Sequence, residues 1–160
     1  GVTVVMAKKD FLKGRDPQLP IMMNYETYAD HDSTYNTPPV FGIYLVDLMS
    51  QWLLDQGGLE KVEQRNIAKA RKVYDVLDAH PDFYKGHAQK DSRSLMNVTF
   101  NLPSKDLEGK FVEEAKACGM AGLKGHRAVG GIRASIYNAM PLEGVQKLVD
   151  FMEDFWKKNR

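Results

Sequence analysis

Cysteine is nearly absent from this sequence, since Cys118 is its one occurrence among 160 residues. A single thiol excludes an internal disulfide framework and a thiolate-rich zinc site, and it suits a reducing compartment. At a predicted helix end, we expect this thiol to be packed. No apolar run approaches the roughly 20 residues that cross a bilayer, and the first residues lack the charged leader of a signal peptide. These absences predict a soluble, cytoplasmic protein with no membrane partner.

Net charge is also small, at +1. This value gives no support to a general nucleic-acid or membrane-surface role. The four histidines are scattered without metal-ligand spacing, so we predict no metal site. They are His31, His80, His87 and His126. Neither a dinucleotide-binding loop nor a P-loop occurs, because the pair Gly130-Gly131 precedes a predicted strand rather than a helix. A hydrophobic content of 43% indicates one globular domain of ordinary size.

Acidic residues are missing from one long stretch, 115–142, although the chain contains 21 of them. The same stretch contains Lys116, Lys124, His126, Arg127 and Arg133. Clustered cations beside glycines suit an anionic small molecule, because guanidinium groups bind carboxylates or phosphates in a bidentate manner and glycine lets backbone amides approach closely. The alternative is a solvated basic turn.

The order of residues within this stretch favours a site. Residues 132–137 alternate as in a strand, with Ile132 on one side and Arg133 on the other. An arginine on a strand is better fixed than one on a loop. His126 and Arg127 lie on the approach to this strand. We therefore predict that His126, Arg127 and Arg133 converge on a ligand with two anionic groups.

A second polar cluster, Asn36-Thr37, precedes Pro38. The start of a helix offers free amides, and these two side chains add hydrogen-bonding groups for an anion such as phosphate. The alternative is that Thr37 only caps the helix.

The first half of the chain predicts one strand and two long helices. Residues 1–6 are a continuous apolar run, typical of a strand in a larger sheet. Residues 11–20 predict a loop and residues 19–28 a short extended segment. A helix is predicted over 38–55 with one apolar face, formed by Phe41, Tyr44, Leu45, Leu48 and Trp52. We expect this helix and residues 1–6 to lack the neighbours that would cover them, and to associate through their exposed faces. After Gly57-Gly58 a second is predicted over 59–79, burying Leu59, Val62, Ile67, Ala70, Val73, Tyr74 and Leu77. Its exposed face is predicted to contain Glu60, Lys61, Glu63, Lys69, Arg71 and Lys72.

In the second half of the chain the hydrophobic periodicity changes from helical to alternating. Strands are predicted over 83–86, 93–102 and 132–137. A helix over 103–119 ends at Gly119, and a last helix follows Pro141 and buries one apolar face. That face comprises Leu142, Val145, Leu148, Val149, Met152, Phe155 and Trp156. The predicted fold class is α+β, with a long helical arm and a small, mainly antiparallel sheet covered by helices.

Several segments resemble the phosphoserine aminotransferases, pyridoxal 5′-phosphate (PLP) enzymes of fold type I and class V. The segments are 35–39, 52–58, 93–94 with 96–100, and 122–127 with 129–139. The resemblance runs over essentially the whole chain and matches the C-terminal part of such an enzyme. It implies that residues 1–35 end the large cofactor domain, that 36–80 form interdomain helices, and that 81–160 form the small domain.

The resemblance also implies an activity, the transfer of an amino group between glutamate and 3-phosphohydroxypyruvate in serine biosynthesis. Arg133 would bind the substrate α-carboxylate, and His126 and Arg127 would bind the phosphate or the glutamate side chain. Asn36 and Thr37 would hold the cofactor phosphate of the partner subunit in a homodimer. The lysine that carries the cofactor would precede Gly1, and Lys8 and Lys9 are poor substitutes at a polar turn. This chain alone is then expected to be inactive and to contain no catalytic residue.

A different reading of the same residues is a non-catalytic α+β module that binds an anionic metabolite or mediates oligomer contacts. A purely structural domain with solvent-facing arginines is a further alternative. The upstream sequence distinguishes the first of these from an enzyme, since a large α/β domain and a lysine just before Gly1 favour the enzyme.

Overall fold

The computed structural model describes residues 1–13, 16, 18–127 and 130–160. These form two compact units, Gly1–Asp55 and Gln56–Arg160. The boundary lies at the predicted glycine break, where Gly57 and Gly58 have φ values of 93° and 77°. Such left-handed backbone is readily adopted by glycine, so the helix before it ends here. The threefold division at 35/36 and 80/81 remains a prediction.

The described residues of the first unit form four helical segments. They are helices α1 (Lys9–Leu12), α2 (Tyr25–Asp30) and α3 (Val40–Asp55), with a 3₁₀ turn at Ile21–Met23. The extended segment predicted over 19–28 is wrong, because Asn24 caps α2 by accepting a hydrogen bond from the Glu26 amide at 3.0 Å. A local side-chain cap outweighed the strand propensity of the aromatic residues.

Residues 1–6 form no strand, so this prediction is wrong for the structure described. A β-strand requires a neighbouring strand to pair its backbone amides and carbonyls. None of the described residues pairs with this run. Val4, Val5 and Met6 are correspondingly exposed.

Helix α3 ends at the predicted residue and begins two residues later than predicted, and its apolar face is largely exposed. Phe41 is 73% exposed, Tyr44 55%, Leu45 48% and Leu48 45%. This exposure agrees with the expectation that the helix lacks neighbours in this chain, and the burial that its periodicity predicts is not met within this unit. A periodic apolar face shows that a helix has a partner, but it does not show that the partner belongs to the same stretch of chain.

The second unit is built on a four-stranded antiparallel sheet. Its strands are β1 (Lys85–Gly86), β2 (Asn97–Asn101), β3 (Lys124–His126) and β4 (Gly130–Ser135), in the order β1-β2-β4-β3. The edge strand and the two inner strands were predicted. The strand predicted over 93–102 is shorter in the structure, and the strand predicted over 132–137 begins and ends two residues earlier. Strand β3 was not predicted, because its three residues include one glycine and no apolar side chain.

Three helices accompany this sheet, α4 (Gly58–Ala79), α5 (Lys105–Ala117) and α6 (Leu142–Asn159). Helix α5 begins as predicted, since the Ser104 hydroxyl accepts a hydrogen bond from the Leu107 amide at 3.2 Å. It ends at Ala117, and the turn that follows contains Gly119, which has a φ of 80°. Cys118 lies in this exposed last turn, so the packed thiol we predicted is wrong.

The core lies on one face of the sheet. Val98 and Phe100 of β2 and Ile132 and Ala134 of β4 are at most 1% exposed. They pack with apolar residues of the helices that include Val73, Leu77, Phe111, Ala115, Val145, Met152 and Phe155. The predicted α+β fold with a helix-covered antiparallel sheet is therefore confirmed.

In α4 and α6, three side chains were predicted on the wrong side, buried or exposed. Leu59 is 76% exposed and Leu142 is 39% exposed, and each lies in the first turn of its helix. A first turn extends beyond the edge of the core, so an apolar residue there need not be covered. The third is Lys69, predicted to face solvent and in fact completely buried.

Candidate functional site

The second face of the sheet is polar and carries the candidate site. Strand alternation places Asn97 and Thr99 of β2 opposite the core, together with Arg133 and Ser135 of β4. The register pairs Thr99 with Arg133 and Asn97 with Ser135. Arg133 therefore stands on a backbone held by β2 on one side and by β3 on the other. Its amide donates to the Leu123 carbonyl at 2.8 Å.

Strands β3 and β4 approach each other so closely that only glycine fits at the crossing. A Cβ atom at Gly125 would overlap the carbonyl oxygen of Gly130. A Cβ atom at Gly131 would lie 2.7 Å from the carbonyl oxygen of Phe100, and Gly131 has a φ of 71°. Gly125 thus lets β3 lie against β4, and Gly131 lets β4 lie against β2. The register of β3 and β4 places His126 opposite Gly130.

A cavity of about 70 Å³ opens where these strands meet. Its polar side chains come from His87, Thr99, Asn101, His126 and Arg133. The structure therefore brings together two of the three predicted site residues, His126 and Arg133. The imidazole, the guanidinium and the Thr99 hydroxyl form a donor set for an anion, while the Asn101 side-chain amide donates to Oε1 of Glu108 at 2.9 Å.

Arg127 occupies a different position. It lies in the turn directly after β3, is exposed, and is not among the described residues that line the cavity. The motif that contains it continues through Ala128 and Val129, which lie outside the described residues.

Sequence reasoning missed His87, which it assigned to a polar loop. The backbone amide of His87 donates to the Thr99 carbonyl at 3.1 Å, so the residue after β1 lies beside β2 at the cavity. The only available signal was its position after a short predicted edge strand. Periodicity does not give a register between strands, so this neighbour was not recognisable.

Next to Arg133 on the polar face lies a hydrogen-bonded row. The hydroxyls of Ser135 and Tyr137 both donate to Oδ1 of Asn97, each at 3.2 Å. Because both donors occupy the same oxygen, the Asn97 amide is fixed in one orientation. Asn97, Ser135 and Tyr137 extend the polar face along β4 away from the cavity.

Asn36 and Thr37 belong to the first unit and are exposed. Helix α3 begins at Val40, and the Pro39 carbonyl accepts the Ile43 amide at 3.0 Å. Thr37 is thus two residues ahead of the capping position, so the capping alternative does not hold. The Asn36 side-chain amide donates to the Met22 sulfur at 3.4 Å. Both side chains remain at the surface, where an amide and a hydroxyl are suited to a phosphate.

Arg93, which opens one of the resemblance segments, has a structural contact. Its guanidinium donates to both carboxylate oxygens of Asp78 and lies 4.4 Å from the centre of the Tyr74 ring. The hydrogen bond from Arg93 holds the pKa of Asp78 below its usual range. This ion pair joins α4 to the segment before β2.

The family model for class-V aminotransferases matches residues 1–148. The chain belongs to the class-V aminotransferase family. It is 54% identical over 160 residues to phosphoserine aminotransferase from Rhodopirellula baltica, which covers 99% of this chain and 43% of the relative. Phosphoserine aminotransferase from Desulfosudis oleivorans is 57% identical, with 99% and 44% covered.

Solved structures of the family agree with the fold. Phosphoserine aminotransferase from Bacillus circulans subsp. alkalophilus has a TM-score of 0.88 at 48% identity, over 95% of this chain and 42% of that chain. PLP-bound phosphoserine aminotransferase from Trichomonas vaginalis has a TM-score of 0.78 at 38% identity, over 86% and 39%. The resemblance inferred from the sequence is thus confirmed. This class-V chain spans less than half the length of the relatives it matches.

None of the described helices could span a membrane.

Proposed function

We propose that the full-length protein containing this chain is a PLP-dependent phosphoserine aminotransferase. It would transfer the amino group of glutamate to 3-phosphohydroxypyruvate, giving phosphoserine and 2-oxoglutarate, as a cytoplasmic enzyme of serine biosynthesis. The observation that carries the proposal is the identity of more than half of the residues to phosphoserine aminotransferases along the whole chain. The cavity on the polar face supports it independently.

A substrate with a carboxylate at one end and a phosphate at the other needs two cationic positions. We assign Arg133 to the α-carboxylate, because a guanidinium on a strand held from both sides offers a rigid bidentate donor. His126 and Arg127 would receive the phosphate, or the side-chain carboxylate of glutamate. His126 lies at the same cavity. Arg127 follows it in sequence, in the exposed turn after β3 and outside the described lining of the cavity.

The size of the cavity bears on how complete the site is. Pockets that enclose a small-molecule ligand measure about 300 to 1,000 Å³, and this one is about 70 Å³. We infer that the polar face supplies one wall of the site and that the remainder of the full-length protein supplies the others.

PLP, when bound, supplies an electron sink for the carbanion formed at the substrate α-carbon. Asn36 and Thr37 fit its phosphate, since their exposed amide and hydroxyl are both hydrogen-bond donors. We place them at the cofactor of the partner subunit in a homodimer. The exposed apolar face of α3 directly after them supports such an assembly. We assign no catalytic lysine to this chain.

The test of the activity is substrate discrimination by the full-length enzyme. With glutamate as donor, kcat/KM for 3-phosphohydroxypyruvate should exceed that for hydroxypyruvate by about a hundredfold or more, because the unphosphorylated substrate leaves cationic groups unpaired. A coupled assay of 2-oxoglutarate formation measures this ratio. Equal values for the two acceptors would contradict the assignment of a phosphorylated substrate.

Cofactor affinity tests the role of Asn36 and Thr37. The double variant Asn36→Ala/Thr37→Val in the full-length dimer should raise the Kd for PLP at least tenfold, since each hydrogen bond to a charged phosphate contributes about 1.5 to 3 kcal/mol. Absorbance titration of the apoenzyme measures the Kd, and sedimentation checks that the dimer persists. Ser50→Ala is the control, because its hydroxyl only bonds to the Val46 carbonyl within α3. An unchanged Kd in an intact dimer would remove both residues from the cofactor site.

A further inference from the structure

Lys69 is the most unusual side chain of the second unit. It lies on α4, is 0% exposed, and its ammonium group donates to three backbone carbonyls. These belong to Ile136 at 3.1 Å, Tyr137 at 2.7 Å and Met140 at 3.1 Å. One turn earlier on α4, the Asn66 side-chain amide donates to Oδ1 of Asn138 at 2.8 Å. All four bonds connect α4 to the short segment 136–140.

Burying the Lys69 ammonium group costs free energy. Burial lowers the pKa of Lys69, and the nearby charge of Arg65 lowers it further. A charged group in such a position is tolerated only when its hydrogen bonds are complete, and three carbonyls match the three protons of an ammonium group. An apolar side chain would fill the same volume, but it would leave those carbonyls without this donor.

The segment held by Lys69 leaves the sheet directly beside the candidate site. Strand β4 ends at Ser135, two positions after Arg133. The Tyr137 carbonyl is bound by Lys69, while the Tyr137 hydroxyl is bound by Asn97 on the polar face. Tyr137 thus connects the buried Lys69 ammonium group, through its carbonyl, with the polar row, through its hydroxyl.

We propose that Lys69 is a positioning residue for the anion site. From α4 its ammonium group fixes segment 136–140, and this fixes the row of Asn97, Ser135 and Tyr137 beside Arg133. The row then limits the directions from which a carboxylate reaches the Arg133 guanidinium. The inference rests on the proposed function in one respect, that the ligand of Arg133 is a substrate carboxylate.

The structural half of the inference is tested in the 160-residue chain by amide hydrogen exchange. The Ile136 amide donates to the Met96 carbonyl, and the Met140 amide donates to the Tyr137 carbonyl, each at 2.9 Å. In Lys69→Met both amides should exchange at least tenfold faster, while amides in α6 should change less. Lys72→Met is the matched control, because Lys72 lies one turn along α4 and bonds only to Gln146 of α6 at 2.7 Å.

The functional half is tested in the full-length enzyme at a temperature well below unfolding. Lys69→Met should raise KM for glutamate about tenfold with a smaller change in kcat, because a misplaced carboxylate clamp weakens substrate orientation. Lys72→Met should leave KM unchanged. In Lys69→Ala, added propylammonium, which replaces the missing carbons and the nitrogen, should restore KM in part. If Lys69 had only a structural role, its substitution would lower thermal stability and leave KM unchanged.

Each outcome is decisive. Unchanged exchange of the Ile136 and Met140 amides, or an unchanged KM in folded Lys69→Met, overturns the inference. Should Lys69 variants not fold, Tyr137→Phe replaces them, since it removes only the exposed hydroxyl bonded to Asn97. We expect it to raise KM for glutamate about threefold, and an unchanged KM would also overturn the inference. If wild-type enzyme does not transaminate, the proposed function fails. The exchange experiment still tests whether Lys69 fixes segment 136–140.

Discussion

Arg133→Ala in the full-length enzyme is expected to lower kcat/KM for glutamate by about a hundredfold to a thousandfold. The substitution removes a charge-assisted bidentate contact and with it the orientation of the substrate α-carbon. Arg133 lies on the sheet face opposite the core and is exposed, so the fold should survive the change. Steady-state kinetics with varied glutamate, combined with a circular dichroism spectrum of the variant, measure both effects.

Two further variants define the contribution of Arg133. Arg133→Lys keeps the charge but not the planar guanidinium, so we expect an intermediate kcat/KM. Arg71→Ala removes an exposed arginine from α4 and should leave kinetics unchanged. Wild-type kinetics in Arg133→Ala would show that this residue does not contact substrate and would leave the reading of Arg133 as a solvent-facing structural residue.

Phe111→Ala is expected to produce the largest loss of stability, about 3 to 5 kcal/mol in the free energy of unfolding. Phe111 is 0% exposed on α5. Its ring lies 5.9 Å from that of Phe100, 5.0 Å from that of Phe151 and 5.1 Å from that of Phe155, all in edge-on geometries. Truncation would leave a cavity at the point where the sheet meets two helices. Urea unfolding followed by circular dichroism measures the change.

A neighbouring position provides the control. Gly109 lies two residues earlier on α5, and a Cβ atom there would meet nothing within 4 Å. Gly109→Ala should therefore stabilise the chain by up to about 1 kcal/mol through helix propensity alone. A loss below 1 kcal/mol in Phe111→Ala would show that the core closes around the missing ring, contrary to the rigid aromatic packing described above.

The parts of the fold that sequence patterns predicted are those determined by local chemistry. Strand β4 was recognisable because Ile132 and Ala134 alternate with Arg133, and burial follows that alternation. Helix α5 was recognisable from the Ser104 cap and from Gly119, since both act within one turn. The site residues His126 and Arg133 were recognisable as cations in a stretch without acids. Their roles in binding remain predictions.

Other features depended on groups distant in the sequence. Lys69 looked like a solvent-facing residue, because helical periodicity cannot show that carbonyls 67 to 71 residues away will meet its ammonium group. His87 joined the cavity only through the pairing of β1 with β2. The apolar residues of α3 indicated burial, although Phe41, Tyr44, Leu45 and Leu48 are 45 to 73% exposed in the structure.

By itself, the sequence determined the family, the α+β class and the cationic character of the site, because motif identity, periodicity and charge are all local properties of the chain. Tertiary structure alone decided that His126, Arg133 and His87 surround one cavity while Arg127 lies outside it. It also decided that a lysine ammonium group is completely buried on α4. The physical reason is that strand register and long-range hydrogen bonding depend on the simultaneous packing of segments that are far apart in sequence.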